Sequence, residues 1–352
     1  MERPGGCPLS RPGKLLRISV LGAGHWGPNL IRNFHNHQTS EVAWVVDRDP
    51  ARLALTRDRF PDVPTSDDSR AATIDPAVDA VVIATPTVTH YQLAAEALEA
   101  GKHVLVEKPI ATRVAEAEEL CRLAESRGLV LMVGQVFLFN AAIRRAREIL
   151  DQGTLGRIFY LSMVRTNLGP IRMDVNAAWD LAAHDVAIAN DWLQSAPSHV
   201  SAQGGSWING GIEDAVFANL WYPGGVIAHL HVSWLSPRKV RDITVVGEKG
   251  MLTFDDMNLS EPLRFYDKQV TEQRSPGFID SFASFRTSIR DGDILIPKVA
   301  ANEPLKAECD HFLECIRTGA RPRSDGWSGA AAVRVLSAFD RSMAEDGRRI
   351  AV

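Results

Sequence analysis

Short apolar runs alternate with stretches of helical period through the first 134 residues. Residues 15–21, 42–46, 79–84, 103–106 and 129–133 are runs of strand length rich in Val, Ile and Leu. Continuous apolarity over so short a span marks a strand buried on both faces. Between them, 28–35, 90–100 and 113–127 carry apolar residues at helical spacing. Gly101 and Gly128 stand where a helix end accepts a left-handed residue. This alternation predicts βαβ units and a parallel sheet with helices on both faces.

The pattern changes after Gly134. Residues 141–152 form one more helical stretch, stopped by Gly153. Extended segments follow at 157–165, 199–207, 215–222, 226–234, 240–246 and 251–254, separated by glycine pairs such as Gly204-Gly205 and Gly224-Gly225. They predict a large, mostly antiparallel sheet. One helix, 179–193, interrupts it. Residues 255–299 read as loops with a short strand or two, and 305–318 and 328–345 as closing helices. The expected fold class is α/β: an N-terminal Rossmann domain over 15–134 and a C-terminal α+β domain with an open sheet over 135–352. A loose tail, 1–14, precedes them.

Composition narrows the class. The chain has 352 residues, enough for two cores, with 45% hydrophobic and 23% charged residues. A formal net charge of −4 gives no case for nucleic acid or an anionic membrane as partner. Cys7, Cys121, Cys309 and Cys315 make no C-x-x-C pair and no zinc spacing. With no apolar run of spanning length and no signal-like start, the expected location is the cytoplasm. His35 and His37 lack a third ligand nearby and read as surface residues, so no metal is expected.

The first strand runs into Gly22-Ala23-Gly24-His25-Trp26-Gly27, a G-x-G-x-x-G turn that opens a helix, with Asp47 twenty residues beyond Gly27. That context is the dinucleotide fingerprint. Gly22 permits the tight turn, Gly24 lets backbone approach a pyrophosphate, and Gly27 lets helix and strand pack. Asp47 would accept the ribose hydroxyls of NAD. It would repel a 2′-phosphate, although Arg48 and Arg52 leave NADP open. Within the turn, His25 reads as exposed beside the phosphate and Trp26 as a packing residue. Thr85 and Pro86 should line the crevice at the next strand end, with His90 following; Thr87 or Thr89 could equally cap the helix there.

Glu107-Lys108-Pro109 closes the 103–106 strand on the side where open α/β sheets hold ligands. Read alone, Lys108 is a solvated lysine before a proline turn. Beside a dinucleotide it becomes a donor that can stabilise an alkoxide, with Glu107 as its neighbour. Asp180 and His184 lie four apart in W-D-L-A-A-H-D, so a helix would put them on one face. An imidazole there suits the base role, with Asp180 orienting it. A surface Asp–His pair is the plain alternative, and Asp185 reads as structural.

G-A-G-H-W-G, Asp47, A-T-P-T-V-T-H, V-E-K-P and D-L-A-A-H, in this order and spacing, resemble the Gfo/Idh/MocA oxidoreductases over nearly the whole chain. The resemblance implies tightly held NAD(H) or NADP(H) and a catalytic group of Lys108, Asp180 and His184. It also implies an open sheet that supports a homodimer or homotetramer. Gln135 and Asn140 match a segment that carries cofactor or substrate contacts in the family.

The stretch 165–185 resembles the nucleotide-sugar branch, UDP-N-acetylglucosamine 3-dehydrogenases included. It offers Arg165, Asn167, Arg172 and Asn176 for substrate, since arginine suits a diphosphate. Salt bridges are the competing use for both arginines. A free inositol, aminocyclitol or deoxysugar dehydrogenase or ketoreductase, an NAD-dependent glycosidase, and a non-enzymatic NAD-binding sensor are the rival functions. The sensor has no need of Lys108, Asp180 and His184 together.

Overall fold

The computed structural model describes residues 14–208, 210–271 and 288–352. They fall into two compact units. The first comprises the chain up to Asn140 together with Asn302–Ser337; the second comprises Ala141–Ala301 and Ala338–Val352.

In the first unit, strands β1 (Leu16–Leu21), β2 (Ser40–Val46), β3 (Thr65–Ser66), β4 (Ala80–Ile83), β5 (His103–Glu107) and β6 (Leu131–Gly134) form one sheet. Its order is β3-β2-β1-β4-β5-β6, and all pairs are parallel. Helices α1 (Gly27–His35), α2 (Pro50–Arg59), α3 (Ser69–Ile74), α4 (His90–Glu99) and α5 (Val114–Arg127) connect them. Ile18, Val20, Val82, Val104 and Val106 are wholly buried, as strands covered on both faces require. The order reverses between β1 and β4, and a doubly wound sheet binds its ligand at such a reversal.

The second unit opens with α6 (Ala141–Asp151), β7 (Ile158–Leu168) and α7 (Ala183–Leu193). Then come β8 (His199–Gly205), β9 (Ala215–Trp221), β10 (Ile227–Ser233), β11 (Leu235–Gly247), β12 (Met251–Asp255), β13 (Leu263–Thr271) and β14 (Ser288–Leu295). With α8 (Pro304–Thr318), α9 (Gly326–Ala344) and β15 (Ile350–Ala351), the described elements are complete. The nine-stranded sheet has the order β14-β13-β12-β11-β7-β10-β9-β8-β15. It is antiparallel except for β7 beside β10. Leu161, Met163, Ile243 and Val245 face the helices, while Tyr160, Phe217 and Ile227 are exposed on the other face.

Three expectations change. The region 255–299, expected to hold loops with a short strand or two, holds two longer strands, β13 and β14; part of it, 272–287, lies outside the described residues. Helix α2, whose Asp49 cap accepts the Ala51 N–H ahead of a first-turn Pro50, is additional to the expected elements, as are β3 and α3. Residues 302–337 group with the first unit, whereas the sequence expectation puts all of 135–352 in the second. The cause is the edge of the parallel sheet: Met132 bridges Asp325, and the Val133 N–H donates to the Ser324 carbonyl at 2.7 Å. An edge strand left bare is a liability, and this segment covers it. The expected tail 1–14 falls outside the described residues apart from Lys14. Among the described residues, no helix is long and apolar enough to cross a membrane.

Candidate active site

Gly22 has φ of 100°, and a Cβ there would lie 2.6 Å from the Ala84 carbonyl oxygen, so only glycine fits. At Gly27 a Cβ would lie 2.0 Å from the Gly22 oxygen, and α1 can start only because none is present. Gly24 differs. The nearest atom to its Cβ position is Nη1 of the Arg52 side chain, at 3.3 Å, so its backbone is open to a ligand. No side chain caps α1 at Trp26. Its first-turn N–H groups therefore suit an anion, and the turn fits a dinucleotide pyrophosphate. Asp47 Oδ2 accepts the Ala23 N–H at 2.7 Å and Oδ1 accepts the Asp49 N–H at 2.9 Å. The carboxylate is thus fixed beside the turn, with Arg52 Nη1 3.5 Å from Oδ2. Arg48 and His25 are exposed.

The ends of β4, β5 and β6 converge on the same side of the sheet. Thr85 Oγ1 lies 2.7 Å from Thr89 Oγ1, which donates to the Pro86 carbonyl. His90, expected among the cofactor contacts, is instead buried between backbone carbonyls. Its Nδ1 is 2.8 Å from the Pro109 oxygen and its Nε2 is 2.9 Å from the Thr85 oxygen. It holds two strand ends in place. The Lys108-Pro109 bond is cis. The Glu107 carboxyl turns inward, accepting the Lys108 N–H at 3.3 Å and a hydrogen bond from the Trp26 side chain. Trp26 therefore does more than pack. Burial pushes Glu107 up to about 7, against the opposing pull of the Lys108 charge and these two hydrogen bonds. Gly134 lies directly alongside: a Cβ there would sit 3.0 Å from the Glu107 carboxyl. Gln135, just past β6, is buried, and its Oε1 has no hydrogen-bond partner. Asn140 ends the 3₁₀ turn 136–139 that follows. Among the described residues, no group of three or more His, Cys, Asp or Glu could hold a metal.

In the second unit, the helix expected at 179–193 begins with a π-turn, Ala178–Ala182, before α7. Asp180 lies in that wider turn and His184 in the first turn of α7, so the regular four-residue spacing is interrupted. Such turns recur at functional sites. Asp180 Oδ2 accepts the Trp234 indole N–H at 3.1 Å, and Oδ1 accepts Arg172 Nη1 at 3.2 Å. Arg172 is gripped by both carboxylate oxygens of Asp174 as well, at 2.9 and 2.6 Å. These two acids raise its pKa, the Asp174 hydrogen bond most of all.

Two substrate candidates are committed elsewhere. Arg165 is buried and forms a bidentate pair with Asp185, at 2.7 Å from Nη2 and 3.0 Å from Nε. The salt-bridge reading therefore replaces diphosphate binding. The Asn176 amide donates to Glu213 and Asp340 at 3.0 and 3.1 Å, and its oxygen accepts the Trp179 N–H. It ties the π-turn to α9 instead of reaching outward. Asn167 lies near the end of β7, partly exposed. Trp234, Glu213 and Asp340 carry no functional signal in the sequence. They act across 54, 37 and 164 residues, and no local pattern signals such contacts.

The family described as an oxidoreductase family with an NAD-binding Rossmann fold matches residues 16–135, and the GFO/IDH/MocA C-terminal domain matches 143–253. The chain belongs to the Gfo/Idh/MocA oxidoreductases. It is thus an NAD(P)-dependent oxidoreductase of the class acting on CH–OH groups. It is 29% identical over 340 residues to UDP-N-acetylglucosamine 3-dehydrogenase of Acidithiobacillus ferrooxidans, covering 92% of this chain and 97% of the other. It is 27% identical to the NAD(+) scyllo-inositol 2-dehydrogenase of Bacillus subtilis, over 87% and 88%. A solved structure of the A. ferrooxidans enzyme, GnnA, superposes with a TM-score of 0.77 at 25% identity, covering 93% of this chain and 97% of that one.

Proposed function

We propose that the protein oxidises a secondary ring hydroxyl of a nucleotide sugar to a ketone, as a UDP-N-acetylglucosamine 3-dehydrogenase does, with NAD as oxidant. The observation that carries this reading is Lys108, set at a parallel strand end beside a glycine turn shaped for a dinucleotide. Bound NAD would supply the hydride acceptor. His184 takes the hydroxyl proton, Lys108 stabilises the alkoxide, and Asp180 orients His184 or a neighbouring hydroxyl. Asp180 suits that role because Trp234 and Arg172 fix both of its oxygens. NAD is favoured over NADP because the Asp47 carboxylate is held at the end of β2, where it repels a 2′-phosphate. Gln135 offers a buried acceptor near the strand ends, and Asn140 and Asn167 remain candidates for substrate.

One observation favours a second reading, an inositol or related cyclitol. Arg165 and Arg172 are both engaged by carboxylates, which leaves the 165–185 stretch poorer in cations for a diphosphate than its composition suggests. The exposed sheet face with Tyr160, Phe217 and Ile227 is suited to a second copy of the chain, giving a homodimer or homotetramer. The buried free thiols of Cys121, Cys309 and Cys315 suit a reducing cytoplasm. NADH formation measured with UDP-sugars, free hexoses and inositols tests the substrate. Turnover of UDP-N-acetylglucosamine is expected, and activity confined to inositols would overturn the nucleotide-sugar reading.

A further inference from the structure

The helical segment that carries Asp180 and His184 starts at Asn176. Asn176 Oδ1 accepts the Trp179 N–H at 3.1 Å, as a helix cap does, and its carbonyl accepts the Asp180 N–H at 3.1 Å. Aspartate caps a helix equally well. The amide has a second use that aspartate lacks. Its nitrogen has two hydrogens to donate, and it lies 3.0 Å from Glu213 Oε2 and 3.1 Å from Asp340 Oδ1. The other Asp340 oxygen accepts the indole N–H of the buried Trp179 at 2.8 Å. From α9, Asp340 thus reaches both the cap residue and the residue just before Asp180.

These bonds converge on the π-turn Ala178–Ala182. A π-turn is a rare interruption of an α-helix, and groups outside the turn must select it. Ala177, Ala178 and Ala182 are buried and offer no polar side chain for the purpose. The Ala177 N–H goes instead to the Glu213 carbonyl at 2.9 Å. One residue on, the Asp214 carbonyl accepts the Trp234 N–H at 3.0 Å, and Trp234 donates its indole N–H to Asp180. Asp214 is itself fully buried and fixed, its Oδ2 accepting the Trp207 and Ile208 N–H groups at 2.6 and 2.8 Å. The backbone before Asp180 and a partner of its carboxylate therefore depend on the same two residues. Burial raises the Asp340 pKa, the Trp179 and Asn176 donors oppose the rise, and the Glu213 charge adds to it. The Asn176 amide is what lets two acids meet at one point.

We propose that Asp340 is a positioning residue of the oxidoreductase site: with Glu213, and through the Asn176 amide and the Trp179 indole, it holds the π-turn and so sets the direction of the Asp180 carboxylate relative to His184. Without this clamp the segment relaxes to a regular α-turn, and Asp180 rotates away from Trp234 and Arg172. The role rests on the assignment of Asp180 and His184 made under Proposed function.

Kinetics and amide hydrogen exchange test it in the full-length protein. Asn176→Asp keeps the cap and loses the donor, leaving three carboxylates together. It should lower kcat about tenfold with KM for NAD unchanged, and speed exchange over 176–184 about tenfold. Asp340→Asn should act in the same direction, because its amide would face that of Asn176. Combining Asn176→Asp, Glu213→Gln and Asp340→Asn reverses the polarity of the shared bonds. Two amides then donate to one carboxylate, and the amide oxygen at position 340 still accepts the Trp179 indole. This triple variant should recover the slow exchange and a kcat within about threefold of wild type. If Asn176→Asp does not fold, Trp179→Phe, which removes only the indole donor, should lower kcat about threefold at constant KM for NAD. A folded Asn176→Asp or Trp179→Phe variant with wild-type kcat and exchange would overturn the proposal. So would a triple variant no better than Asn176→Asp, or a loss of kcat matched by an equal loss of NADH affinity. If no sugar or cyclitol is turned over, the Asp180–His184 assignment fails, while exchange still decides whether the clamp holds the π-turn.

Discussion

The Trp26 side chain donates a hydrogen bond to the carboxyl of Glu107, joining the dinucleotide turn to the end of β5. Two segments eighty residues apart thereby share one titratable group. Glu107 already stands at about 7 because it is buried, and the Trp26 donor is one of the groups holding it down.

Removing that donor in Trp26→Phe should push Glu107 higher. The carboxyl would then be more protonated at pH 7 and would pair less well with Lys108. A fall in kcat of about threefold at pH 7, recovered near pH 9, is the expected signature. Rate measurements across this range decide it. Superimposable profiles would mean that the Glu107 charge is not used.

Asp47 is braced by the Ala23 N–H at 2.7 Å, which holds its carboxylate beside the turn, where it is proposed to meet the ribose. Asp47→Ser should raise KM for NAD by about tenfold or more, which corresponds to about 1.4 kcal/mol. It should also narrow the preference over NADP, because Arg52 loses an acid 3.5 Å away and the 2′-phosphate loses a repulsive partner. Paired titrations with both cofactors measure the ratio. An unchanged ratio would remove Asp47 from cofactor selection.

His103 on β5 accepts the Val130 N–H at Nδ1, at 2.9 Å, and burial depresses its pKa to about 4. The unfolded chain binds this proton near 6.5. The unfolded state therefore holds more protons between those values, and the stability that neutral His103 confers is full above about 6.5 and lost as pH falls towards 4. Melting temperature should drop over this window. The drop should shrink in His103→Gln, which carries no titrating ring, and an unaltered slope in that variant would rule His103 out as the source.

Much of the first unit is legible because parallel strands read as uninterrupted apolar runs, such as 81–83 and 104–106. β3 is illegible at two polar residues, Thr65 and Ser66. Helix α2 did carry a signal, Asp49 followed by Pro50, which is a cap and a first-turn proline. Arg165 also carried one. Leu161, Met163 and Arg165 alternate along β7, which puts the guanidinium on the buried face. Residue chemistry pointed to a diphosphate, but the strand period decided the outcome. The link between Trp234 and Asp180 has no such local trace, since only the fold brings β10's end to the π-turn.

The Arg165–Asp185 pair is nearly inaccessible, with side chains 5% and 3% exposed. Breaking it should be costly, because a buried charge would lose its bidentate partner. Asp185→Asn is expected to destabilise the protein by about 3–5 kcal/mol. The double variant Arg165→Met, Asp185→Leu should recover most of that loss. Urea titrations of the three proteins measure both effects. If the double variant is as unstable as Asp185→Asn, the penalty lies in packing and not in the uncompensated charge.

Trp234 is 1% exposed, and its indole N–H is directed at Asp180 Oδ2, so its substitution separates orientation from binding. Trp234→Phe keeps most of the apolar bulk and removes the donor. Asp180 would keep Arg172 on Oδ1 but lose the hydrogen bond on Oδ2. Losing one such bond should cost about 1 kcal/mol of stability. The larger effect should fall on kcat, about tenfold, because the role proposed for Asp180, orienting His184 or a neighbouring hydroxyl, tolerates little misplacement. NADH affinity should not change, since the dinucleotide turn belongs to the other unit. Turnover measured beside NADH titration separates the outcomes. Equal losses in both would point to general unfolding, and unchanged turnover would show that Asp180 needs no fixed orientation.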